Sequence, residues 1–354
     1  MDDLQLLREM RSDIGSAPPA TLARGRVRVM ANIGHDETVV VRAGDGPESN
    51  VTHIRFRRRI LLASAAAALI VGGIVVADVV RPTPGATAEA AEILNNAALA
   101  TIRTSDPLVG PGQYLKVDTK AVYASTVGRD DGTAVSWLET TGGQMYIPAD
   151  ITGEWVWNRE PRIPTTFFGE ESRAEADKQS APQDGPVLEA PQLVGILRGK
   201  AGGFYGGSPE QILGTPLAEA FETFPREPEK LLQLIYDRTK GKGPSAESEA
   251  LTTIASALRT GVIPADLRAA MYKAAALIPG IVVADKQATL DGQQGVALGV
   301  YFADGKFRDD IIVDPETGQL IGERTVYLVA ESGIPANTAA AWTSVRTSVV
   351  DSAP

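Results

Sequence analysis

The sequence of 354 residues predicts an α+β domain with one antiparallel sheet and helices packed on one face of that sheet. Residues 113–159 alternate between apolar and polar side chains and are rich in aromatic and β-branched types, which is typical of strands. Residues 227–277 change to a helical period, and residues 281–330 return to alternation. Strands, helices and strands again are the order of an α+β fold, and roughly 270 residues suffice for its core.

The first strand group consists of QYLKVDTKAVYAS, TAVSWLETT, GQMYIPAD and GEWVWNR. Gly and Asp separate these segments, so they predict a meander of antiparallel strands. From about 159 to 208 Pro, Gly and charged residues dominate, as in GEESRAEADKQSAPQDG. This composition predicts a long mobile loop.

Helices are predicted for AEAAEILNNAALATIR and, further on, for three segments of the block at 227–277. In the second of these three, Ser245 and Glu249 mark an N-terminus and Gly261 marks the end. The later strands follow as IVVADKQATLDG, QQGVALGVYFA, KFRDDIIVDPETG and QLIGERTVYLVA, with DPETG as the strongest hairpin signal. WTSVRTSVV predicts a last strand at the edge of the sheet.

The run RRRILLASAAAALIVGGIVVA at 57–77 predicts a transmembrane helix. Residues 60–77 contain one hydroxyl, Ser64, and no charge, and with the next three residues they are long enough to cross a bilayer. A cleaved export signal would be shorter and would lie close to the first residue. A core helix of a soluble domain is the alternative, but such a helix carries a polar face that this run lacks.

The charges around this run predict its orientation. Arg55, Arg57, Arg58 and Arg59 precede it, whereas Arg81 is the one cation close behind it. The positive-inside rule therefore places the N-terminal part in the cytoplasm and the larger part outside the cell membrane. We expect a helical cytoplasmic arm and linker at 1–55, the basic cluster and membrane helix at 56–81, a tether at 82–88 and an extracytoplasmic domain at 89–354.

Charge and cysteine content exclude several classes of protein. Residues 1–59 hold ten of the 34 basic and eight of the 44 acidic side chains, so the rest of the chain carries a net charge of −12. Such an acidic domain is a poor match for nucleic acid. The chain has no cysteine, which excludes disulfides, thiol nucleophiles, Cys-ligated zinc and a lipid-modified cysteine.

Histidine placement limits the chemistry of the exterior domain. Both histidines, His35 and His53, lie on the predicted cytoplasmic side, so the exterior cannot form a Ser-His-Asp triad or a His-ligated metal site. We therefore expect no enzyme, cofactor or metal, with a carboxylate- or Ser-Lys-based envelope enzyme as the alternative. The adjacent Asp309 and Asp310 would point to opposite faces of a strand, and we expect turn chemistry or solvation for them.

The segments RRRILLASAAAALIVGGIVV, AEILNNAALA, PGQYLKV and DDIIVDPETGQLIGERTVYL together resemble a family of actinobacterial single-pass membrane proteins of unknown function. Members are often encoded beside extracytoplasmic-function sigma factors. The order of the exterior elements also resembles the half-barrel of lipoprotein carriers and of a stress sensor that binds an anti-sigma factor. These resemblances imply a curved, half-barrel-like sheet with an apolar concave face that holds acyl chains or a protein segment.

Five aromatic residues in the first strands are candidates for a ligand groove. They are Tyr114, Trp137, Tyr146, Trp155 and Trp157, although an ordinary sheet core would also contain them. The resulting hypothesis is a membrane-anchored binding or sensing module with a lipid or protein ligand outside and a cytoplasmic regulatory partner inside. A structural envelope subunit is a further alternative.

Protease protection tests the predicted topology. We expect protease added to intact spheroplasts to digest the exterior domain and leave residues 1–55 protected, because the arginine cluster retains them in the cytoplasm. Digestion of the arm in intact cells would reverse the orientation. Permeabilised spheroplasts, in which both parts are accessible, are the control.

Overall fold

An open antiparallel sheet organises the part of the chain that the computed structural model describes, namely residues 85–104, 106–180 and 194–354. The predicted cytoplasmic arm, the four arginines at 55–59 and the predicted membrane helix lie outside the described residues. Within the described ranges, no helix is long and apolar enough to cross a bilayer.

The helices and strands follow one another in the predicted order of strands, helices and strands. They are α1 (Ala88–Arg103), β1 (Tyr114–Gly128), β2 (Ala134–Pro148), β3 (Glu154–Arg159), β4 (Ile163–Phe167), α2 (Glu170–Ser180), β5 (Gly195–Lys200), β6 (Gln211–Ile212), β7 (Thr215–Pro216), α3 (Leu217–Thr223), α4 (Pro228–Thr239), α5 (Ala246–Arg259), α6 (Ala265–Ala276), β8 (Val282–Leu290), β9 (Gln293–Tyr301), β10 (Phe307–Val313), β11 (Leu320–Tyr327) and β12 (Thr338–Val350).

The strand order of the main sheet is β5, β3, β2, β1, β12, β11, β10, β9 and β8, and β4 also pairs with β2. All neighbouring strands are antiparallel, so the predicted α+β class with a large antiparallel sheet is confirmed. The prediction that the last strand lies at an edge is wrong. β12 pairs with both β1 and β11 and joins the two meanders, and its consecutive residues 343–345 are buried, which fits an interior strand covered on both faces.

The region 159–208 differs from the mobile loop that its composition predicts. It contains β4, α2 and β5, while residues 181–193 lie outside the described residues. Helix α2 is held against β2 by small residues. The Ser172 hydroxyl donates a hydrogen bond of 2.5 Å to the carbonyl oxygen of Ser136, and Ala176 is fully buried. A helix anchored through Ser and Ala shows no apolar stripe in its sequence.

One face of the sheet, here called the inner face, shares its core with the helices. Helix α6 is central, because it packs against α1, α4 and α5. The shared core includes Leu94, Leu231, Ile254, Leu267 and Met271 from the helices and Leu115, Val117, Ile147, Leu298 and Val345 from the sheet. Burial of each such side chain contributes about 1.5–3 kcal/mol to folding, so the helices and the sheet stabilise each other.

The hairpin between β10 and β11 is fixed against helix α1. Gly318 has φ of 71°, a backbone conformation that favours glycine, and its carbonyl oxygen accepts a hydrogen bond of 3.1 Å from the Thr101 hydroxyl. A Cβ atom at Gly318 would clash with the carbonyl oxygen of Ala97. The absence of a side chain therefore serves both the turn and the close approach of the helix.

We expect Gly318→Ala to lower the free energy of unfolding by roughly 2–5 kcal/mol, because it adds backbone strain and a clash with α1. Gly305→Ala is the matched control. Gly305 also has positive φ, 69°, in the hairpin before β10, but a Cβ there meets nothing within 4 Å. Thermal unfolding of the full chain should show a clearly larger decrease in melting temperature for Gly318→Ala than for Gly305→Ala. Equal decreases would refute the proposed role of the α1 contact.

Candidate functional site

A cavity of about 360 Å³ lies between the inner face of β1, β2 and β3 and the C-terminal end of α5. We call it the inner cavity. Its size is within the range of small-molecule sites. Its apolar walls include Val117, Ala121, Met145, Ile147, Trp155 and Trp157, and its charged lining residues are Arg159, Arg162, Glu210 and Arg259.

Strand register aligns the apolar wall. Val117 of β1 lies opposite Met145 of β2, which in turn lies opposite Trp157 of β3. Because side chains alternate between the faces of a sheet, the three project into the same cavity. Gly143 also lines the cavity and has φ of 140°, and a Cβ atom there would clash with the backbone of β3 at Asn158. Glycine at this position therefore allows β2 and β3 to approach each other beside the apolar row.

The structure brings together two of the five aromatic candidates. Trp155 and Trp157 both line the inner cavity, and the indole N–H of Trp155 donates a hydrogen bond of 2.9 Å to the carbonyl oxygen of Ile151. The Trp157 ring lies 5.4 Å from the Phe204 ring, centroid to centroid. Their spacing of two residues correctly indicates a shared face.

The other three aromatic candidates do not line this cavity. Tyr146 alternates with Met145 and Ile147, so it lies on the other face of the sheet, here called the outer face. Tyr114 shares that outer face by the same register. Trp137 is buried near β4, and its indole N–H donates a hydrogen bond of 2.9 Å to Glu139 Oε1.

Sequence reasoning missed the charged residues of the cavity. The Arg259 guanidinium donates a hydrogen bond to the Glu323 carboxylate from the end of α5. Burial raises the pKa of Glu323, and the positive charge of Arg259 offsets part of that rise. Burial likewise raises the pKa of Glu210, again with an opposing effect of Arg259. The positive charge of Arg259 thus limits the rise in the pKa of two carboxyl groups.

A second cavity of about 360 Å³ adjoins the first and shares Tyr123 and Thr343 with it. It lies between α5 and strands β10 and β11. Asp309 lines it and accepts hydrogen bonds of 2.6 Å from the Ser248 hydroxyl and 2.7 Å from the Thr325 hydroxyl. The two cavities therefore form adjoining parts of one groove along α5.

Asp309 and Asp310 point to opposite faces, as the sequence predicts, but the expectation of turn chemistry or solvation is wrong. Asp310 is buried on the outer face, where Arg308 and Arg324 donate hydrogen bonds of 2.6 to 2.9 Å to its carboxylate. A buried carboxylate needs such partners, and strand pairing supplies them from β10 and β11. Sequence alternation cannot show which partner lies across the sheet.

Metal binding finds no support within the described ranges, where no group of three or more His, Cys, Asp and Glu residues could hold a metal ion. The fold and the groove define an α+β domain with an internal ligand-sized cavity. No protein-family model and no curated protein matches the chain.

A solved structure, that of a DUF1329 family protein from Desulfovibrio piger, aligns with 73% of this chain and 92% of its own chain. The identity is 8% and the TM-score is 0.17, values too low to indicate a shared fold or function. The resemblance to actinobacterial membrane proteins stays a prediction.

We expect Glu210→Gln to change how stability depends on pH. Because burial raises the carboxyl pKa of Glu210 in the folded state, the folded state loses stability as pH rises above the ordinary value of 4.5. The glutamine variant lacks this loss, so its melting temperature relative to wild type should increase from acidic to neutral pH. Glu154→Gln, which removes an exposed carboxylate outside the cavity, is the control. An equal pH response in the two variants would contradict the assignment.

Proposed function

We propose that the chain is a membrane-anchored binding module whose extracytoplasmic domain takes a hydrophobic ligand into the inner cavity. In this proposal the sheet is a half-barrel-like surface, helices partly cover one face, and the predicted helix at 56–81 anchors the domain. Transmission of binding to a cytoplasmic partner, including a link to sigma-factor signalling, rests on the sequence resemblance.

The inner cavity is the observation that carries the proposal. Its lining includes the apolar side chains of Val117, Met145, Ile147, Trp155 and Trp157. Burial of an acyl chain contributes about 0.8 kcal/mol per methylene, whereas association costs about 4 kcal/mol or more. A chain of roughly ten methylenes therefore gains enough free energy to bind without polar recognition.

The hydrogen bonds of the groove favour binding over catalysis. Arg259 is paired with Glu323, and Asp309 already accepts two hydroxyl hydrogen bonds. A raised carboxyl pKa is also a property of general acids, so Glu210 and Glu323 support the enzyme alternative. Among the described residues, however, neither Ser256 nor Thr260, the two hydroxyl residues that α5 and its C-terminal end contribute to the cavity lining, donates a hydrogen bond to either carboxylate.

Quenching of tryptophan fluorescence by ω-bromododecanol tests the proposal, because bromine quenches an indole at close range. Titration of the full chain in a neutral sugar detergent should show saturable quenching. We expect Trp157→Phe to lose a large part of the quenched signal, since Trp157 lines the inner cavity. Trp137→Phe, which removes an indole outside that cavity, should retain it.

A quenching curve that does not saturate, or that is the same for Trp157→Phe and Trp137→Phe, would refute binding in the inner cavity. Protein-free detergent with free tryptophan corrects for quenching that does not depend on the protein.

A further inference from the structure

We infer that the ligand of the inner cavity is an anionic amphiphile whose carboxylate or phosphate group binds to Arg159 and Arg162. The inference rests on the proposed function and specifies the chemical class of the ligand. Its basis is a pair of arginines that line the same cavity and form no ion pair with any carboxylate of the described residues.

The connection between β3 and β4 places the two guanidinium groups. Arg159 is the last residue of β3 and follows Trp157 by two positions, as Trp157 follows Trp155. It therefore shares their inner face. Arg162 lies just before β4, after Pro161, which fixes the backbone of this short connection. Both arginines line the inner cavity beside its apolar wall.

Aromatic rings support both arginines. The guanidinium carbon of Arg159 lies 4.9 Å from the centroid of the Trp157 ring, and that of Arg162 lies 4.9 Å from the centroid of the Tyr123 ring. A guanidinium over an aromatic ring keeps its N–H groups at the edge of the plane, where they can donate to another molecule. The rings therefore orient both donors without neutralising their charge.

The other arginine of the cavity provides the contrast. Arg259 forms an ion pair with Glu323, whereas neither Arg159 nor Arg162 forms an ion pair with any described residue. Arg159 donates a hydrogen bond of 2.9 Å to the Tyr205 hydroxyl, a neutral partner. The carboxylate of Glu160, between the two arginines, accepts instead from Gln144 Nε2 at 3.5 Å.

Within the described ranges, Arg159 and Arg162 have no ion-pair partner, although the chain carries a net charge of −10 and Glu210 lines the same cavity. Guanidinium groups match carboxylates and phosphates in geometry and bind them through charge-assisted hydrogen bonds. The adjoining wall of Met145, Ile147 and Trp157 suits an apolar chain. One molecule that carries both features would satisfy the cations and fill the cavity.

The experiment compares ω-bromododecanoic acid with ω-bromododecanol on the full chain in neutral sugar detergent, at an alkaline pH where the acid is ionised. We expect wild type to bind the acid roughly tenfold more tightly than the alcohol, the effect of about one charge-assisted hydrogen bond. In the double variant Arg159→Gln/Arg162→Gln the ratio of the affinity for the acid to the affinity for the alcohol should fall to about one. The control, Arg129→Gln/Arg198→Gln, removes two exposed arginines outside the cavity and should keep the preference.

Competition distinguishes the two possible anionic groups. Dodecyl phosphate and dodecanoate should each displace ω-bromododecanoic acid, and the stronger competitor identifies the preferred head group. Inorganic phosphate should not displace it, because an anion alone gains nothing from the apolar wall. Displacement by inorganic phosphate at similar concentrations would overturn recognition of an amphiphile.

The two proposals fail in different ways. If wild type binds acid and alcohol equally, or if the double variant keeps the preference for the acid, the role of Arg159 and Arg162 is refuted while the hydrophobic site stands. If neither probe gives saturable quenching in wild type, the proposed function fails and the inference fails with it.

Discussion

The pairing of β12 with both β1 and β11 is the constraint on which the rest of the described structure depends. Without β12 the chain would form two separate meanders, β1 to β5 and β8 to β11. The pairing connects residues far apart in sequence, for example Tyr114 with Val350, so it closes a long segment of chain at an entropic cost. The helices between the two meanders then have one continuous inner face on which to pack, and the cost is offset by that burial.

The inner cavity follows from how the helices share this face. Helix α5 packs against β9, β10 and β11, and the side chains near its C-terminal end reach toward β1, where they border the cavity. The wall formed by β1, β2 and β3 is therefore apolar yet incompletely covered. Burial beside this opening also explains why Glu210 and Glu323 have raised pKa values, since both carboxyl groups lose part of their hydration.

Sequence patterns predicted where the strands and helices lie better than they predicted which of these elements contact each other. Alternation identified the strands and placed Trp155 and Trp157 on one face, but it could not say which face the helices cover, so Tyr114 and Tyr146 were included although they lie outside. Helix α2 was not predicted because its buried residues, Ser172 and Ala176, are small and form no apolar stripe. The Arg159 and Arg162 pair was missed because their aromatic supports come from different strands, β3 and β1, that only the folded sheet brings together.

The buried Asp310 has a consequence for how the sheet assembles. Its carboxylate is neutralised by Arg308 of its own strand and by Arg324 of β11, while Gly299 of β9 lies opposite and leaves it room. A shift of one residue between β9 and β10 would replace that glycine with a larger side chain, and loss of β11 would remove one of the two cations. A buried charge with incomplete pairing costs several kcal/mol. Frayed or misregistered intermediates of these three strands are therefore disfavoured, and the strands should form as one cooperative unit.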